Sequence, residues 1–352
     1  MAYVTGICTS FEDIKNAIVS LSQQAGWAIT TDSAGKTVLH KGDLYVMIDM
    51  GKYTYGGANR YDCVRIKGRT TLEGASHPYN IPLSVGISDF YGDDDYYPTG
   101  PVQFPVTFHG FYYSDIDEIY FVVTYNYIYQ YIAFGKSNIT LPGTGLWVAG
   151  TCACEGDMPY PFGDSYTSRF RPEFIRMDPS GYGYYTTNGN LSPAIFWTGI
   201  RSTGNIYFNF ADRNYWLHHN INGDPWSLAS TIAWTDGVGV GYIERYLKSQ
   251  PQQANNQAML LPIMAYKTCA VYSSTYYHVA TLQKARHIKI NYLDPETIIS
   301  NGDEQWMVFP WFKKVQMQPY DHIVRDGTYG VSGNDYAVNH SGNYGWAIKK
   351  EA

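Results

Sequence analysis

The sequence predicts a mainly β protein, with antiparallel sheets packed like a sandwich and one amphipathic helix near the N-terminus. Tyrosine accounts for 34 of the 352 residues, while Asp, Glu, Lys and Arg together reach only 16%. Soluble domains usually carry about 25% charged residues. Tyrosine favours strands and interfaces, because its ring packs while its hydroxyl stays hydrated. The composition therefore indicates a β-rich protein with large contact surfaces.

The one strongly marked helix begins after Ser10, which fits the N-cap position. Gly26 stands where a left-handed C-terminal cap belongs, and a short strand is predicted at 27–30. We therefore expect a helix laid on a sheet. The apolar stripe of this helix consists of residues three and four apart, namely Phe11, Ile14, Ala17, Ile18 and Leu21.

Almost all other local signals are those of β-strands. Pro310 cannot donate to a β-ladder and favours a strand end, so we expect 306–309 and 344–349 to pair in a small terminal module. Hairpins are predicted for 37–40 with 44–48, 118–124 with 127–134 around Tyr125-Asn126, and 195–200 with 206–210. Further strands are predicted at 63–67, 215–218, 275–282 and 288–292.

The polar stretch 250–257 predicts a domain boundary. It would separate a β-rich main domain with the helix, residues 1–250, from a C-terminal β-module, residues 258–352. The same stretch is compatible with a surface loop inside a single domain, because a chain of this length can bury one large core.

Catalytic and metal-binding sequence motifs are missing. The chain has no nucleophile elbow, no P-loop and no dinucleotide-binding glycine pattern. Cys152-Ala-Cys154 lacks the second Cys or His pair of a zinc site, and His218-His219 would point to opposite faces of a strand. The five cysteines do not form a disulfide framework. We therefore expect no cofactor and no metal.

Acidic clusters keep a glycan-cleaving enzyme open as an alternative. Such an enzyme needs two carboxyl groups at a set separation, one of them with a raised pKa. Because clustered acids are ordinary surface features, we expect that the chain is not an enzyme. The candidate groups are Glu155 with Asp157, and Asp115 with Asp117 and Glu118.

Two long loops, 88–105 and 153–172, are the predicted interaction sites, because loops of this length are usually functional or interfacial. The triple aspartate in the first loop lacks the spacing and the closing Glu of an EF-hand, so we interpret it as a solvated acidic loop. The candidate contact residues are Asp93, Asp94, Asp95, Tyr96, Tyr97, Tyr160, Phe162 and Tyr166.

Short sequence blocks occur in a fixed order along most of the chain. They are MAYVTG at residue 1, AGW at 25, LHKG at 39, LYVMID at 44, MPYPFG at 158, HIKINY at 287, LDPETI at 293, GDEQWMVFP at 302 and YGWAIK at 344. This ordered set resembles a family of uncharacterised virion structural proteins of tailed bacteriophages. The segment 164–280 has little that matches.

The resemblance implies a structural component of the tail, baseplate or neck. Its partners would be other virion proteins and copies of itself, joined through aromatic-rich β surfaces. Two alternatives stay open: a receptor- or carbohydrate-binding protein at the tail tip, which would contact a glycan of the host surface, and a glycan depolymerase.

The location of the protein is expected from its termini and its charge. The N-terminus has neither the basic nor the apolar region of a secretory signal, and no stretch of 18 apolar residues occurs. The net charge of -6 disfavours binding to nucleic acid. We expect synthesis in the host cytoplasm, localisation in the virion, no membrane insertion and no nucleic-acid partner.

Overall fold

The structure, a computed structural model, describes residues 2–55, 59–69, 71–73, 83–89, 101–138, 146–150, 152–155, 216–217, 259–268, 276–290, 293–310 and 344–351. Within these residues it contains one helix and otherwise β-strands, as the sequence predicts. In chain order the elements are β1 Ala2–Cys8, α1 Phe11–Gln24, β2 Ala28–Thr31, β3 Thr37–Lys41, β4 Leu44–Tyr55, β5 Asn59–Arg69, β6 Leu83–Ser88, β7 Val106–Tyr113, β8 Glu118–Tyr125, β9 Ile128–Lys136, β10 Leu146–Gly150, β11 Cys152–Glu155, β12 Trp216–Leu217, β13 Leu261–Thr268, β14 Tyr276–Lys289, β15 Ile298–Asn301, β16 Glu304–Pro310 and β17 Tyr344–Lys350.

The described strands form three sheets, and neighbouring strands are antiparallel throughout. The central sheet has the order β1-β7-β8-β9-β10. The second sheet has the order β11-β6-β5-β4-β3-β2, and the third has the order β12-β13-β14-β17-β16-β15. The predicted class, mainly β with antiparallel sheets and one N-terminal helix, is confirmed.

At β8 and β9 the central sheet is buried on both of its faces. In β8, Ile119 and Phe121 pack against α1 and the second sheet, whereas Tyr120 and Val122 pack against the third sheet. Because neither face meets water, β8 and β9 are nearly continuous apolar runs instead of the alternating pattern of a half-exposed strand. The described residues therefore form one core on each side of this sheet, and a third cluster lies on the other face of the third sheet.

The helix α1 forms as its local sequence signals predict. The Ser10 hydroxyl accepts a hydrogen bond of 3.1 Å from the Asp13 N–H, and Gly26 has a φ of 84°. Leu21 on the buried stripe contacts the central sheet at Gly110, where a Cβ would lie 3.0 Å from the Leu21 Cδ2. A glycine at this position therefore lets the helix pack close to β7.

Two of the predicted hairpins are confirmed, β3 with β4 and β8 with β9. The turn between β8 and β9 differs by one residue, since Asn126 and Tyr127 occupy it with φ angles of 45° and 63°. The predicted pairing of 306–309 with 344–349 is also confirmed, because β16 pairs with β17.

The prediction of separate strands at 275–282 and 288–292 was wrong, because β14 is continuous across 283–287. Its register with β13 shifts between two consecutive residues. Pro262 pairs with Arg286, whereas the next residue, Ile263, pairs with Leu282. The intervening Gln283, Lys284 and Ala285 therefore form a β-bulge in β14. The polar residues Gln283 and Lys284 make this part of the strand resemble a turn in the sequence.

Several predictions concern residues that the structure does not describe. The hairpin of 195–200 with 206–210, the His218-His219 pair and the polar stretch 250–257 lie outside the described residues. The division into residues 1–250 and 258–352 therefore stays a prediction. Of the predicted strand 215–218, the structure describes β12, which pairs with β13.

We predict that Gly345→Ala weakens the pairing of β16 with β17. A Cβ at Gly345 would lie 2.0 Å from the Phe309 carbonyl oxygen, so the backbone of one strand must move. The free energy of unfolding, measured by denaturant titration, should fall by about 2–3 kcal/mol.

Gly302→Ala is the control for this variant. Gly302 has a φ of 61° and open space around its Cα, so this change costs only the backbone strain of about 1 kcal/mol. An equal loss of stability in both variants would contradict the close approach of the two strands.

Candidate functional site

The eight contact residues predicted from the sequence lie outside the described residues, as does Asp157. These contact residues are Asp93, Asp94, Asp95, Tyr96, Tyr97, Tyr160, Phe162 and Tyr166. Their roles stay predictions. The structure does describe the second predicted acidic group, and it contains two clusters of ionisable side chains between the sheets.

The three residues of this acidic group lie in different environments. Asp115 is 65% exposed, whereas the Asp117 carboxylate is 2.5 Å from the Lys41 Nζ. Glu118 is fully buried and faces the third sheet. Asp115 also lies 3.7 Å from the Lys284 Nζ, so the group consists of two partly exposed, ion-paired acids and one buried acid, and not of two carboxyl groups that share a site.

The Glu118 carboxylate accepts hydrogen bonds from two backbone N–H groups in the β-bulge of β14. Its Oε1 accepts a hydrogen bond of 2.9 Å from the Gln283 N–H, and its Oε2 accepts one of 3.0 Å from the Lys284 N–H. The Tyr120 hydroxyl donates to Oε2 at 2.9 Å. Because the bulge turns these two N–H groups away from the ladder, a buried acceptor on the facing sheet is needed to pair them.

Burial raises the pKa of Glu118 to about 7, although the hydrogen bonds from Gln283, Tyr120 and Lys284 favour the carboxylate. An acid with a raised pKa binds its proton more tightly in the folded protein than in the unfolded chain. Its contribution to stability is therefore present at low pH and is lost as the pH rises towards 7.

A buried glutamine joins the opposite face of the central sheet to the second sheet. The Gln130 amide donates to the Ser88 carbonyl oxygen at 2.8 Å and accepts from the Ser88 N–H at 2.9 Å. It also donates to the Tyr125 hydroxyl at 2.8 Å. Gln130 and Glu118 thus act on opposite faces of the same sheet, each bonding backbone groups of a neighbouring sheet.

The second ionisable cluster, the Tyr3–His109 cluster, consists of Tyr3, His109, Tyr129 and Glu296. The Tyr3 hydroxyl is 2.8 Å from the His109 Nδ1, and the His109 Nε2 is 3.5 Å from the Glu296 Oε2. The Tyr129 hydroxyl donates to the Glu296 Oε1 at 3.2 Å. The cluster therefore connects three strands of the central sheet to the segment that precedes β15.

The electrostatics of the Tyr3–His109 cluster favour an ionised Glu296. The contact with His109 and the hydrogen bond from Tyr129 hold the pKa of Glu296 below its ordinary value, although burial opposes them. Burial raises the pKa of Tyr3 and Tyr129. Both phenols therefore stay protonated near neutral pH, so that the Tyr129 hydroxyl can donate to the Glu296 carboxylate.

Glu296 occupies an unusual backbone conformation, with a φ of 66°. Its N–H donates to the Val308 carbonyl oxygen at 2.6 Å, and its side chain is 37% exposed. A left-handed glutamate costs about 1–2 kcal/mol. The contacts of its carboxylate with His109 and Tyr129 offset this cost.

The described residues contain no group of three or more His, Cys, Asp and Glu side chains that could hold a metal ion. His109 and Glu296 provide only two ligands, fewer than the three or four that zinc requires. Within the same residues, no helix has the length and apolar character to span a bilayer.

One end of the central sheet presents large apolar side chains to solvent. Ile7 at the end of β1 is 69% exposed, and Tyr127 in the turn between β8 and β9 is 65% exposed. The register places Ile7 opposite Thr107, and Thr107 opposite Thr124 near the same turn. We name this surface the end patch and define it as Ile7, Thr107 and Tyr127.

Tyr127 in the end patch occupies a position that favours glycine. Asn126 and Tyr127 both have positive φ angles, which is the geometry of a type I′ turn. Asn-Gly is the preferred sequence for such a turn, because the second position has a left-handed conformation. An exposed aromatic ring is thus held at a strained backbone position, which is typical of functional surfaces.

The sequence interpretation missed His109 and Glu296. His109 is the one histidine among the apolar and aromatic residues of VTFHGFYY, a strand that was not predicted, and a single imidazole in such a strand is a usable signal. Glu296 and Tyr3 belong to the blocks LDPETI and MAYVTG, yet nothing in either block indicates that they meet.

No protein-family model and no curated protein sequence matches this chain. The assignment of a function therefore depends on the residues of the chain itself and on the contacts described above.

We predict that Glu118→Gln removes a pH dependence of stability. The folded protein keeps this proton up to about pH 7, whereas the ordinary pKa is 4.5, so the carboxyl contributes less to stability as pH rises. The free energy of unfolding of the wild type, relative to that of the variant, should fall by about 2–3 kcal/mol from pH 5 to pH 8.

Asp115→Asn serves as the control, because Asp115 is a neighbouring acid with a 65% exposed side chain. This variant should keep the pH dependence of the wild type. If Glu118→Gln and the wild type lose stability in parallel across this range, Glu118 does not titrate there.

Proposed function

We propose that this chain is a structural subunit of a tailed-phage virion, located in the tail, baseplate or neck. It would assemble with other virion proteins and with copies of itself through aromatic-rich β surfaces. The observation that carries the proposal is that several sequence blocks of the phage resemblance fall on strands of the framework. HIKINY begins in β14, GDEQWMVFP and YGWAIK cover β16 and most of β17, and the opening block covers most of β1.

The arrangement of these blocks supports an architectural role. β14, β17 and β16 are adjacent in the third sheet, and their side chains fill the core against the central sheet. The resemblance thus covers residues that determine how two sheets pack. Residues that determine packing are what members of a structural family are expected to share.

The use of ionisable side chains supports the same role. Glu118 bonds the backbone of β14, and His109 with Glu296 connects the central sheet to the third sheet. In these two clusters the polar chemistry is directed at other parts of the chain. Such cross-links stiffen a subunit that must keep its shape within a particle.

The end patch supplies a surface for contacts between subunits. Tyr and Trp are enriched at interface hot spots, because a large rigid ring buries much area at low entropic cost. Tyr127 combines this side chain with 65% exposure and a strained backbone. An interface contact explains why tyrosine stands where glycine is preferred.

Purified virions of the phage that encodes this chain test the proposal directly. Mass spectrometry should detect the chain at a fixed ratio to other structural proteins, and cryo-electron microscopy should locate β1 to β17 in the tail, baseplate or neck. Virions that are complete and infectious without the chain would contradict the proposal.

We predict that Tyr127→Gly lowers incorporation into particles without loss of stability. Glycine relieves the left-handed strain of about 1–2 kcal/mol and costs about 0.5–1 kcal/mol in chain entropy, so the free energy of unfolding should stay equal or rise slightly. When wild type and variant are expressed together, incorporation should fall about tenfold, which corresponds to the loss of about 1.4 kcal/mol at an interface.

Asn126→Gly is the matched control, because it places glycine one residue earlier in the same turn and leaves the Tyr127 ring in place, although it removes the hydrogen bond from Asn126 to Gln103. It should be incorporated like the wild type. Equal incorporation of Tyr127→Gly would exclude this ring from the contacts between subunits.

A further inference from the structure

The strand β1 forms one edge of the central sheet. Within the described residues it pairs with β7 along one side, and its other side is the free edge of the sheet. Its sequence, AYVTGIC, has no charged residue and no proline. Natural proteins protect a free strand edge with charges, proline, a bulge or short length, and β1 has none of these within its seven residues.

The other described sheet edges differ from β1 in length. At the far edge of the central sheet, β10 has five residues. The edges of the second and third sheets, β2, β11, β12 and β15, have four residues or fewer. Short strands offer few backbone groups to an incoming chain. Among the described edges, β1 is therefore the one suited to accept another strand.

The side chains of β1 also fit an added strand. Thr5 and Ile7 are exposed, with Ile7 at 69%, and Tyr3 lies partly buried beneath the Lys350 Nζ at 4.8 Å from its ring centroid. These three residues share one face of the strand, because side chains alternate along it. A neighbouring strand would cover Ile7, which the single chain leaves in water.

We infer that β1 pairs antiparallel with β1 of a second copy of this chain, across a two-fold axis at Thr5. The two central sheets then join into one sheet of ten strands, twice the five strands of one copy. Thr5 lies opposite Thr5, and Ile7 lies opposite Tyr3 of the second copy, an aromatic and β-branched pair of the kind that stabilises sheets.

Charge identifies the partner as a second copy. A two-fold axis at Thr5 places the centre of the strand opposite its own equivalent, so any charge there would be repelled by itself. The chain has a net charge of -6, yet β1 is neutral along its whole length. This neutrality removes self-repulsion at the place where the two copies meet.

The inference rests on the proposed function only for the place of the dimer in a particle. The pairing itself is a property of the purified chain. Wild-type protein should form a dimer in sedimentation velocity experiments, and hydrogen exchange of the β1 amides should slow as the protein concentration rises through the dimerisation range.

A charge exchange at Thr5 tests the two-fold arrangement. Thr5→Lys and Thr5→Glu each place like charges opposite each other and should weaken dimerisation at least tenfold at low salt. A mixture of the two variants should restore the dimer, because opposite charges then meet across the axis. Far-ultraviolet circular dichroism checks that each variant is folded.

Thr31→Lys is the matched control, since Thr31 is an exposed threonine on the short edge strand β2. It should dimerise like the wild type. A monomeric wild type, dimers unaffected by both Thr5 variants, or a mixture that stays monomeric would each overturn the inference. Concentration-independent exchange of the β1 amides would do the same without any variant.

The two proposals fail in different ways. Virions without the chain would refute the proposed function while leaving the dimer measurement intact. A chain that is present in virions but monomeric in solution and unpaired at β1 in the particle would refute the pairing alone.

Discussion

The Glu118 carboxylate is the contact on which the packing of the third sheet against the central sheet depends. It pairs the Gln283 and Lys284 N–H groups, which the bulge in β14 turns towards the central sheet. Without an acceptor, each of these N–H groups would cost about 1–3 kcal/mol. The bulge and the buried acid therefore require each other, and together they fix the position of β14 over β8.

The large apolar contacts follow from this position. Trp346 of β17, the neighbour of β14, packs against Tyr120 and Tyr131 with ring centroids 5.7 Å and 4.5 Å apart. Phe309 of the next strand contacts His109. Apolar packing is not directional, whereas the hydrogen bonds of Glu118 are. The acid therefore determines how the two sheets are positioned relative to each other, and the aromatic rings supply most of the free energy of burial.

The sequence predicted the features that local signals determine and missed those that arise from long-range packing. The helix after Ser10 follows from its cap and its 3.6-residue period. β1 and β7 were missed, because Gly6 and Gly110 interrupt their apolar patterns. The contact of Glu118 with Gln283 joins residues 165 positions apart, and it depends on a bulge that resembles a turn in the sequence.

The abundance of tyrosine now has a physical explanation in the described part of the chain. Tyrosine hydroxyls act as polar cross-links in a protein with few charges: Tyr120 donates to Glu118, Tyr129 donates to Glu296, and Tyr113 donates to the Lys349 carbonyl oxygen. Each ring fills a core while its hydroxyl pairs with a group on the same or a facing sheet. A phenol loses less on burial than an ion pair does, so tyrosine joins buried sheets where a salt bridge would be costly. The same ring, when exposed as in Tyr127, suits the subunit contact that we propose, because it too combines apolar area with a hydroxyl that can pair.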